Sequence, residues 1–330
     1  MSRSDIVEAL SSTVDAIPFD TCSRFSGKVR ENFFLGDGRM AIAVTDRVSA
    51  FDYKLGTVPF KGQVLNQLAA WWFNKLDDIA IPHHLLQTPH PAISVVRQVK
   101  PLPIEIVVRA YLTGSTTTSS WYAYQNHDRM ICGLRMPAGM KKNEKFPDLM
   151  LTPATKGATG HDLNISRADI LDQGLVAPDV MDIVERYALT MFRHGQKLAA
   201  EQGLILVDTK YEMGQTEDGT LLVIDEVHTP DSSRYWLADS YRQCMDAGQE
   251  PDSLDKEFVR RMVIDAGYDI NSDENPSKYF DDGMRIAAAE KYLALYEKMT
   301  GSPIKIAHTS QSDIVAALES LLPASSLLQP

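Results

Sequence analysis

The stretch from residue 206 to residue 236 constrains the fold more than any other part of this chain. It reads LVDTKYEMGQ, then a short turn at Glu217-Asp218-Gly219, and then LLVIDEVHTPDSSRYW. Apolar residues on both sides of a glycine-containing turn predict two antiparallel strands joined as a hairpin. The second strand is expected at Leu221–Ile224, and polar residues follow it directly. The sequence therefore predicts a sheet whose strands end in chemically active side chains.

Charged side chains on this hairpin suggest a site for a metal ion and phosphate. Asp208, Lys210 and Glu212 alternate, so on a strand all three point to one face. The returning strand would bring Asp225 and Glu226 close to Glu212. Hard cations such as Mg²⁺ take oxygen ligands, commonly one or two carboxylates plus substrate phosphates. The same spacing also fits a cross-strand ladder of salt bridges on an exposed face, and spacing alone leaves both interpretations open.

The segment Thr-Pro-Asp-Ser-Ser-Arg, residues 229–234, precedes a helix that we expect to start near Tyr235. Ser232 and Ser233 could cap that helix, which would be a purely structural role. A helix N-terminus with free N–H groups beside Arg234 is also a suitable anion site. We favour the anion site.

Two other segments contain basic residues suited to phosphate. Gly27-Lys28 opens a strand predicted over residues 27–35, and a glycine there would let the backbone approach a phosphate. In isolation an ordinary strand start is the better interpretation, since neither a Walker A motif nor GxGxxG is present. Arg109 ends a strand predicted over 104–110, so it should have an anionic partner. That partner could be Glu105 or a substrate phosphate, which Ser115 could share.

Polar residues also follow a strand in TDRVSAFD, residues 45–52, where Asp46, Arg47 and Ser49 are candidates for substrate binding. Asx-turn chemistry is the structural alternative for them. His161-Asp162 lies in a loop, where capping explains the pair better than catalysis. The sequence contains neither HExxH nor GxSxG, so it indicates no zinc enzyme and no hydrolase elbow.

Composition limits the class of protein. The net charge of −11 argues against general nucleic-acid binding, which needs a basic surface. No apolar run approaches the ~20 residues needed to span a bilayer, and the N-terminus lacks a signal-peptide core. Three cysteines without a CxxC pair fit a reducing compartment. We therefore expect a cytoplasmic protein without membrane contact.

The order of predicted elements indicates strands first and mixed elements later. Helices are expected over residues 4–15, 62–76 and 179–202, and near 236–247, 254–266 and 283–300. A Pro-Leu-Pro turn at 101–103 would join strands at 95–99 and 104–110, and residues 111–166 would be ordered loops around a site. The expected division is a β-rich nucleotide-binding domain at 1–110 and an α/β domain at 111–330.

Eight segments, in order, resemble one family, the phosphoribosylaminoimidazole-succinocarboxamide synthases or SAICAR synthetases. The resemblance spans about residues 20 to 300. The segments are GKVREN (27–32), TDRVSAFD (45–52), KGQVLNQLAAWWF (61–73), VVRAYLTGS (107–115), LTPATK (151–156), HDLNIS (161–166), VDTKYEMG (207–214) and DEVHTPDSSRYW (225–236).

The resemblance implies an α+β / α/β fold of the SAICAR synthase type, with ATP held in a kinase-like cleft between a β-rich domain and a larger α/β domain. It also implies a reaction in which ATP, carboxyaminoimidazole ribonucleotide (CAIR) and L-aspartate give ADP, phosphate and SAICAR, through an acyl phosphate, in purine biosynthesis. Phosphoryl transfer of this kind depends mainly on positioning and charge neutralisation. No obligate protein partner is implied.

The resemblance also implies roles for the candidate residues. Glu212 and Asp225 would hold Mg²⁺ at the nucleotide phosphates. Asp208 and Lys210 would act at the CAIR carboxylate and the transferred phosphoryl group. The remaining implied contacts are Gly27 and Lys28 with ATP phosphates, Arg109, Ser115, Ser233 and Arg234 with CAIR, chiefly its ribose phosphate, and Asp46, Arg47 and Ser49 with the imidazole or aspartate.

The chain departs from the family pattern at a few positions. Gly160 and Leu163 stand where acidic residues are more usual, which weakens any role of the His161-Asp162 loop in binding metal or aspartate. Thr209 replaces an aromatic residue and Ala154 a frequent serine. Two alternatives remain: a kinase-like phosphotransferase acting on another acceptor, and a catalytically silent nucleotide-binding module. The intact charged residues Lys28, Lys210, Glu212 and Asp225 speak against the second.

Overall fold

The structure is a computed structural model that describes residues 1–116, 118–156, 163–307 and 311–322. Its residues group into two units. The first comprises Met1–Asn74, His84–Gln98 and Phe258–Pro330, and the second comprises Lys75–His83 and Val99–Glu257. The His161-Asp162 pair and Gly160 lie outside the described residues.

Strands and helices are both numerous in the described part. The strands are β1 (Arg24–Ser26), β2 (Arg30–Phe34), β3 (Arg39–Val44), β4 (Arg47–Ala50), β5 (Tyr53–Thr57), β6 (Leu85–His90), β7 (Ile93–Arg97), β8 (Lys100–Tyr111), β9 (Met130–Ile131), β10 (Leu134–Arg135), β11 (Lys145–Thr155), β12 (Leu163–Asn164), β13 (Leu204–Gln215), β14 (Leu221–Ile224) and β15 (Ser233–Leu237). The helices are α1 (Arg3–Glu8), α2 (Lys61–Asp77), α3 (Ser120–Gln125), α4 (Arg167–Asp172), α5 (Pro178–Glu201), α6 (Ala238–Ala247), α7 (Lys256–Asp265), α8 (Asp282–Thr300) and α9 (Gln311–Glu319), with 3₁₀ turns at Ala9–Ser11 and Pro276–Tyr279.

The first unit contains an antiparallel sheet of five strands in the order β1-β2-β3-β7-β6, and a separate pair, β4-β5. Buried residues of the large sheet, such as Phe33 and Val95, pack with Ile314 and Leu318 of α9. A second apolar cluster joins residues of β4 and the following segment to α8. Burial of these faces stabilises the unit by about 25 cal/mol per Å² of apolar surface.

The grouping of the chain differs from the expected division at residue 110. Residues 258–322 belong with the N-terminal strands, because side chains such as Ala288 and Tyr292 of α8 share a buried cluster with Val48 and Val58. The chain thus leaves the first unit after Gln98 and returns to it at Phe258.

The second unit is built on an antiparallel sheet in the order β12-β11-β8-β13-β14, with β15 also paired to β13. Helix α5 begins with Pro178 at its first turn, buries a stripe that includes Met191 and Phe192, and ends before Gly203. A side chain larger than glycine at position 195 would place its Cβ 2.9 Å from Leu206 Cδ2. Glycine therefore allows α5 to lie close against β13.

Most predicted elements are present. The β13–β14 hairpin, α2, α5 and α8 lie within a few residues of their predicted positions. The mixture of helices and sheets confirms the α+β class.

Other predictions of local structure were wrong. The Pro-Leu-Pro segment is not a turn but part of β8, and a register shift between Glu212 and Gly214 of β13 lies opposite it. Residues 24–34 form two short strands joined at Gly27, which donates its N–H to the Arg30 carbonyl at 2.8 Å. The middle segment contains the 11-residue strand β11, whose pattern is broken by a bulge between Lys145 and Met150.

No helix begins at Tyr235. Residues 233–237 form β15 instead, and α6 starts at Ala238. The prediction of a helix N-terminus at this point was therefore wrong, because pairing with β13 decided the conformation of this segment. Neither a cap by Ser232 or Ser233 nor an anion site made by helix N–H groups exists here.

Candidate active site

A lysine surrounded by carboxylates lies at the centre of the second unit's sheet. The Lys210 Nζ lies 2.5 Å from Glu212 Oε1, 3.4 Å from Glu105 Oε2 and 4.0 Å from Asp225 Oδ2. Glu105 and Glu212 are direct partners across β8 and β13. Like charges in that position repel each other, so the ammonium group between them stabilises the pairing.

Asp225 reaches this cluster because of where β14 ends. Glu212 pairs with Ile224, the last residue of β14, and Asp225 follows it. Asp225 has a φ of 65°, in the left-handed region that a non-glycine residue rarely adopts. Strained backbone of this kind is concentrated at functional sites. Glu226 is buried and accepts a hydrogen bond from the Thr229 hydroxyl.

The cluster is electrostatically coupled. Burial opposes charge on Lys210, but the carboxylates of Glu212, Glu105 and Asp225 raise its pKa well above the ordinary value. Burial likewise opposes ionisation of Glu212, yet Lys210 and Lys156 lower its pKa. Lys156 contributes through an ion pair with the second Glu212 oxygen. Lys210 is therefore cationic and Glu212 anionic at neutral pH.

A second charged row crosses the same sheet at Asp208. Asp208 on β13 pairs directly with Arg109 on β8 and with Arg234 on β15. Its Oδ2 lies 2.5 Å from Arg234 Nη1 and 3.8 Å from Arg109 Nη1. Arg234 also contacts Glu257, with Nη2 3.3 Å from Oε2. One carboxylate thus separates two guanidinium groups that would otherwise repel each other.

The two arginines differ in their surroundings. Burial lowers the pKa of Arg109, whereas Asp208 and Glu257 outweigh burial and raise the pKa of Arg234. Arg109 donates from Nε to Thr152 Oγ1 at 2.8 Å, and this is the only hydrogen bond of its side chain within the described residues. Its Nη1 lies 3.8 Å from Asp208 Oδ2 in an ion pair, and neither Nη group is used in a hydrogen bond there, so both could donate to an anion.

The loop after β8 adds groups suited to an anion near Arg234. Gly114 has a φ of +115°, and a Cβ on it would lie 2.3 Å from Ser119 Cβ and 3.3 Å from Arg234 Nη2. Only glycine fits this position. The next residue, Ser115, has a buried Oγ without a hydrogen-bond partner among the described residues. Buried polar groups are normally paired, so a ligand atom is a reasonable partner for it.

Ser233 has a different environment from the one the sequence suggested. Its hydroxyl lies 2.7 Å from Thr209 Oγ1, and both residues are buried between β13 and β15. The nearby Asp255 accepts hydrogen bonds from the Tyr235 and Glu257 amides, while burial raises its pKa to about 7. These contacts hold β15, and with it Arg234, in place. Substrate binding by Ser233 itself stays a prediction.

The predicted nucleotide contacts of the first unit lie between β1 and β2. Lys28 is half-exposed, and its Nζ lies 2.6 Å from Asp52 Oδ1. Gly27 leaves only ordinary van der Waals space, since a Cβ on it would lie 3.4 Å from the Arg30 carbonyl oxygen. Their contact with ATP stays a prediction.

The residues of the TDRVSAFD segment are tied into the first unit's fold. Asp46 accepts hydrogen bonds from the amides of Val14 at 2.8 Å and Gly62 at 2.9 Å, and burial raises its pKa to about 6. It also lines a cavity of about 590 Å³.

Arg47 is equally engaged, since Nη1 donates to Glu31 Oε1 at 2.7 Å. Its guanidinium also donates to backbone carbonyls, those of Asp15, Gly27, Lys28 and Arg30. Ser49 is buried on β4. These contacts are structural, and substrate contact by the three residues stays a prediction.

Four residues that complete the two charged rows were not among the predicted site residues. Glu105 was considered only as a partner of Arg109, and Lys156 lay in a motif without an assigned role. Thr152 lay in the same motif, LTPATK, also without an assigned role, and Glu257 was not considered. The signal for Glu105 was its spacing from Arg109, since residues four apart on a strand share a face. Glu257 is distant in sequence, and nothing local pointed to it.

The donor set suits a magnesium–nucleotide site rather than a cage made by protein alone. In the described part of the chain, no three His, Cys, Asp or Glu side chains are arranged to hold a metal ion by themselves. Glu212 lies on β13, Asp225 directly follows β14, and both contact the same ammonium group. Two carboxylates completed by phosphate oxygens are a usual Mg²⁺ environment, so the residues fit that ion. Among the described helices, none has the length and apolar character needed to cross a membrane.

A lysine surrounded by carboxylates, next to two arginines on the same sheet of an α+β scaffold, is typical of an enzyme that handles phosphorylated substrates. A family model described as SAICAR synthetase matches residues 23–276. The chain belongs to the SAICAR synthetase family.

Individual relatives agree with this assignment. The phosphoribosylaminoimidazole-succinocarboxamide synthase of Legionella pneumophila strain Paris is 42% identical over 88% of this chain and 90% of its own length. The enzyme of that name from Arabidopsis thaliana, described as chloroplastic, is 43% identical over 88% of this chain and 69% of its own. A structure of SAICAR-synthase from Saccharomyces cerevisiae complexed with SAICAR has a TM-score of 0.75 and 29% identity, covering 88% of this chain and 99% of that one. The predicted family, fold class and ligase class are confirmed.

Proposed function

We propose that this chain joins L-aspartate to the carboxylate of CAIR at the expense of ATP, forming SAICAR, ADP and phosphate. The observation that carries the proposal is the placement of two charged rows on one face of β13. Asp208 and Glu212 are four residues apart, which on a strand is about 13 Å. Lys210 lies between them. An anion at the second charged row and a reacting carboxylate at Lys210 can therefore belong to one small phosphorylated molecule.

The second charged row, which consists of Arg109, Asp208 and Arg234 and is called the arginine row below, suits the ribose phosphate of CAIR. Arg109 and Arg234 present guanidinium groups from two strands, and these groups bind phosphate with directed, charge-assisted hydrogen bonds. The Ser115 hydroxyl would donate a further bond. Without ligand, Asp208 and Glu257 balance the two positive charges, so the pocket is stable when empty.

The lysine cluster suits the reacting end. Lys210 would neutralise the CAIR carboxylate and the phosphoryl group as they approach each other, since both are anionic. A carboxylate oxygen attacks the γ-phosphorus of ATP, and ADP leaves. The aspartate amine then attacks the acyl carbon, the C–O bond to phosphate breaks, and the amine loses a proton as phosphate departs.

Glu212 and Asp225 would hold Mg²⁺ at the nucleotide phosphates. When bound, Mg²⁺ supplies charge neutralisation for the transferred phosphoryl group. Lys156 would keep Glu212 anionic and oriented from its other oxygen. Gly27 and Lys28 would contact the ATP phosphates. We also propose a cytoplasmic location. Composition and cysteine spacing support it.

The test is ADP release by the purified protein with ATP and Mg²⁺, with CAIR and L-aspartate added singly and together. We expect ADP release and SAICAR formation only with both. Release that requires neither CAIR nor aspartate would favour a phosphotransferase with another acceptor. Nucleotide binding without turnover under all conditions would indicate a silent binding module and refute the proposed ligase.

A further inference from the structure

The eight-residue loop between β14 and β15, residues 225–232, connects the two halves of the candidate site. Asp225, at its start, belongs to the lysine cluster, while its end leads directly to Arg234. The amide of Lys210 donates to the Ser232 carbonyl at 3.0 Å. Any change in the shape of this loop therefore moves both ends of the site.

His228 occupies the middle of the loop and is fully buried, with a left-handed φ of 52°. Its Nε2 is hydrogen-bonded to the Tyr211 hydroxyl, and its carbonyl accepts from the Tyr235 hydroxyl at 2.7 Å. Tyr211 belongs to β13 and Tyr235 to β15, and both are buried. The loop is thus fastened to two strands through one residue.

Helix α5 closes the other side of His228. A Cβ at Gly195 would lie 2.2 Å from His228 Cε1 and 2.7 Å from Nδ1, so only glycine leaves room for the ring. The two loop residues next in sequence, Thr229 and Pro230, continue into a turn in which the Thr229 carbonyl accepts from the amides of Ser232 and Ser233. The His228 ring is therefore closely packed against α5.

Tyr211 and Lys210 are adjacent on β13, so their side chains point to opposite faces of the sheet. The active face carries Lys210 and Glu212, and the α5 face carries the Tyr211–His228 contact. Burial, with a smaller contribution from His194, lowers the pKa of His228 to about 3, so the ring is neutral at physiological pH.

We propose that His228, held by Tyr211, is a positioning residue that fixes Asp225 for the divalent cation from the opposite face of the sheet. This inference rests on the proposed function, because it takes Asp225 as a cation ligand. The left-handed backbone at both Asp225 and His228 is unfavourable in isolation and persists only when surrounding contacts determine it. The hydrogen bonds of His228 with Tyr211 and Tyr235 are contacts of this kind.

The test compares two buried tyrosines, each of which loses its hydroxyl group. Tyr211→Phe removes the hydroxyl that holds His228. Tyr124→Phe is the matched control, since Tyr124 is likewise a buried tyrosine of the second unit, and its hydroxyl is hydrogen-bonded to the Pro137 carbonyl and the Met140 amide. Calorimetric titration with ADP, in saturating Mg²⁺ and in a chelator, gives the factor by which Mg²⁺ tightens ADP binding.

We expect Tyr211→Phe to reduce that factor about tenfold, as is usual when a group that orients a ligand residue is removed. ADP binding in chelator should change less than twofold, and Tyr124→Phe should leave the factor unchanged. An unchanged factor in Tyr211→Phe, or an equal fall in both variants, would overturn the positioning role. If Mg²⁺ does not tighten ADP binding in the wild type, the proposed metal site fails, and this inference fails with it.

A second pair of variants separates hydrogen bonding from volume. His228→Gln retains a polar group able to reach the Tyr211 hydroxyl, whereas His228→Leu retains bulk alone. We expect the glutamine variant to keep more of the Mg²⁺ effect than the leucine variant. If both variants fold and lose the Mg²⁺ effect to the same extent, the hydrogen bond does not have the proposed role.

Discussion

Replacing Arg234 by lysine tests the arginine row most directly. The guanidinium contacts Asp208 at 2.5 Å with Nη1 and Glu257 at 3.3 Å with Nη2, and it faces Gly114. A lysine keeps the positive charge but offers one compact ammonium group instead of a planar fork. It can therefore satisfy the buried carboxylates or a phosphate, but not both.

The magnitude follows from the bond that is lost. A hydrogen bond to a charged group contributes about 1.5–3 kcal/mol. Since 1.4 kcal/mol is a factor of ten, losing one such bond to the CAIR phosphate should raise the KM for CAIR about 10-fold to 150-fold. The KM for ATP should change little. Arg234→Ala is less informative, because it removes the nearer of the two cations paired with Asp208 and also the cation paired with Glu257, at a cost of about 3–5 kcal/mol in stability.

Steady-state kinetics with CAIR and ATP varied separately provide the assay, and thermal unfolding confirms that the variant is folded. Arg167→Lys is the matched control, because Arg167 also pairs with two carboxylates, Asp182 and Glu185, but is 44% exposed on another element. It should leave both KM values unchanged. Equal increases in the KM for CAIR and for ATP after Arg234→Lys would remove Arg234 from the phosphate pocket.

Two further predictions concern single carboxyl groups. Asp225→Asn should abolish most turnover yet leave the melting temperature within a few degrees, because asparagine tolerates the left-handed backbone at φ 65°; ADP-release assays and thermal unfolding check this, and near-wild-type turnover would contradict the metal assignment. Asp46 has a folded-state pKa raised from 3.8 to about 6, so the unfolded chain loses its proton first and stability falls as the pH rises through this interval. The loss approaches about 3 kcal/mol. Denaturant unfolding from pH 4 to pH 7 should show a smaller decline in Asp46→Asn, and parallel curves would refute the assigned cause.

The sequence by itself determined the elements that rest on local pattern. The alternation of Asp208, Lys210 and Glu212 on one strand, and the return of the chain to Asp225, follow from a period of two and a glycine-containing turn. The long helix α5 follows from its apolar stripe, with a proline at its start and a glycine after its end. These features needed no knowledge of the rest of the chain, because neighbours in sequence decide them.

The tertiary structure decided which of these side chains meet. Residues 233–237 form β15 rather than the start of a helix, because β13 supplies hydrogen-bond partners that the local sequence does not reveal. Pairing across β8, β13 and β15 places Asp208 between Arg109 and Arg234, and Glu105 beside Lys210. Glu257 reaches Arg234 although 23 residues separate them. Strand order and register are long-range properties. The sequence therefore indicated most of the charged residues, but only the folded sheet brings them together in two rows.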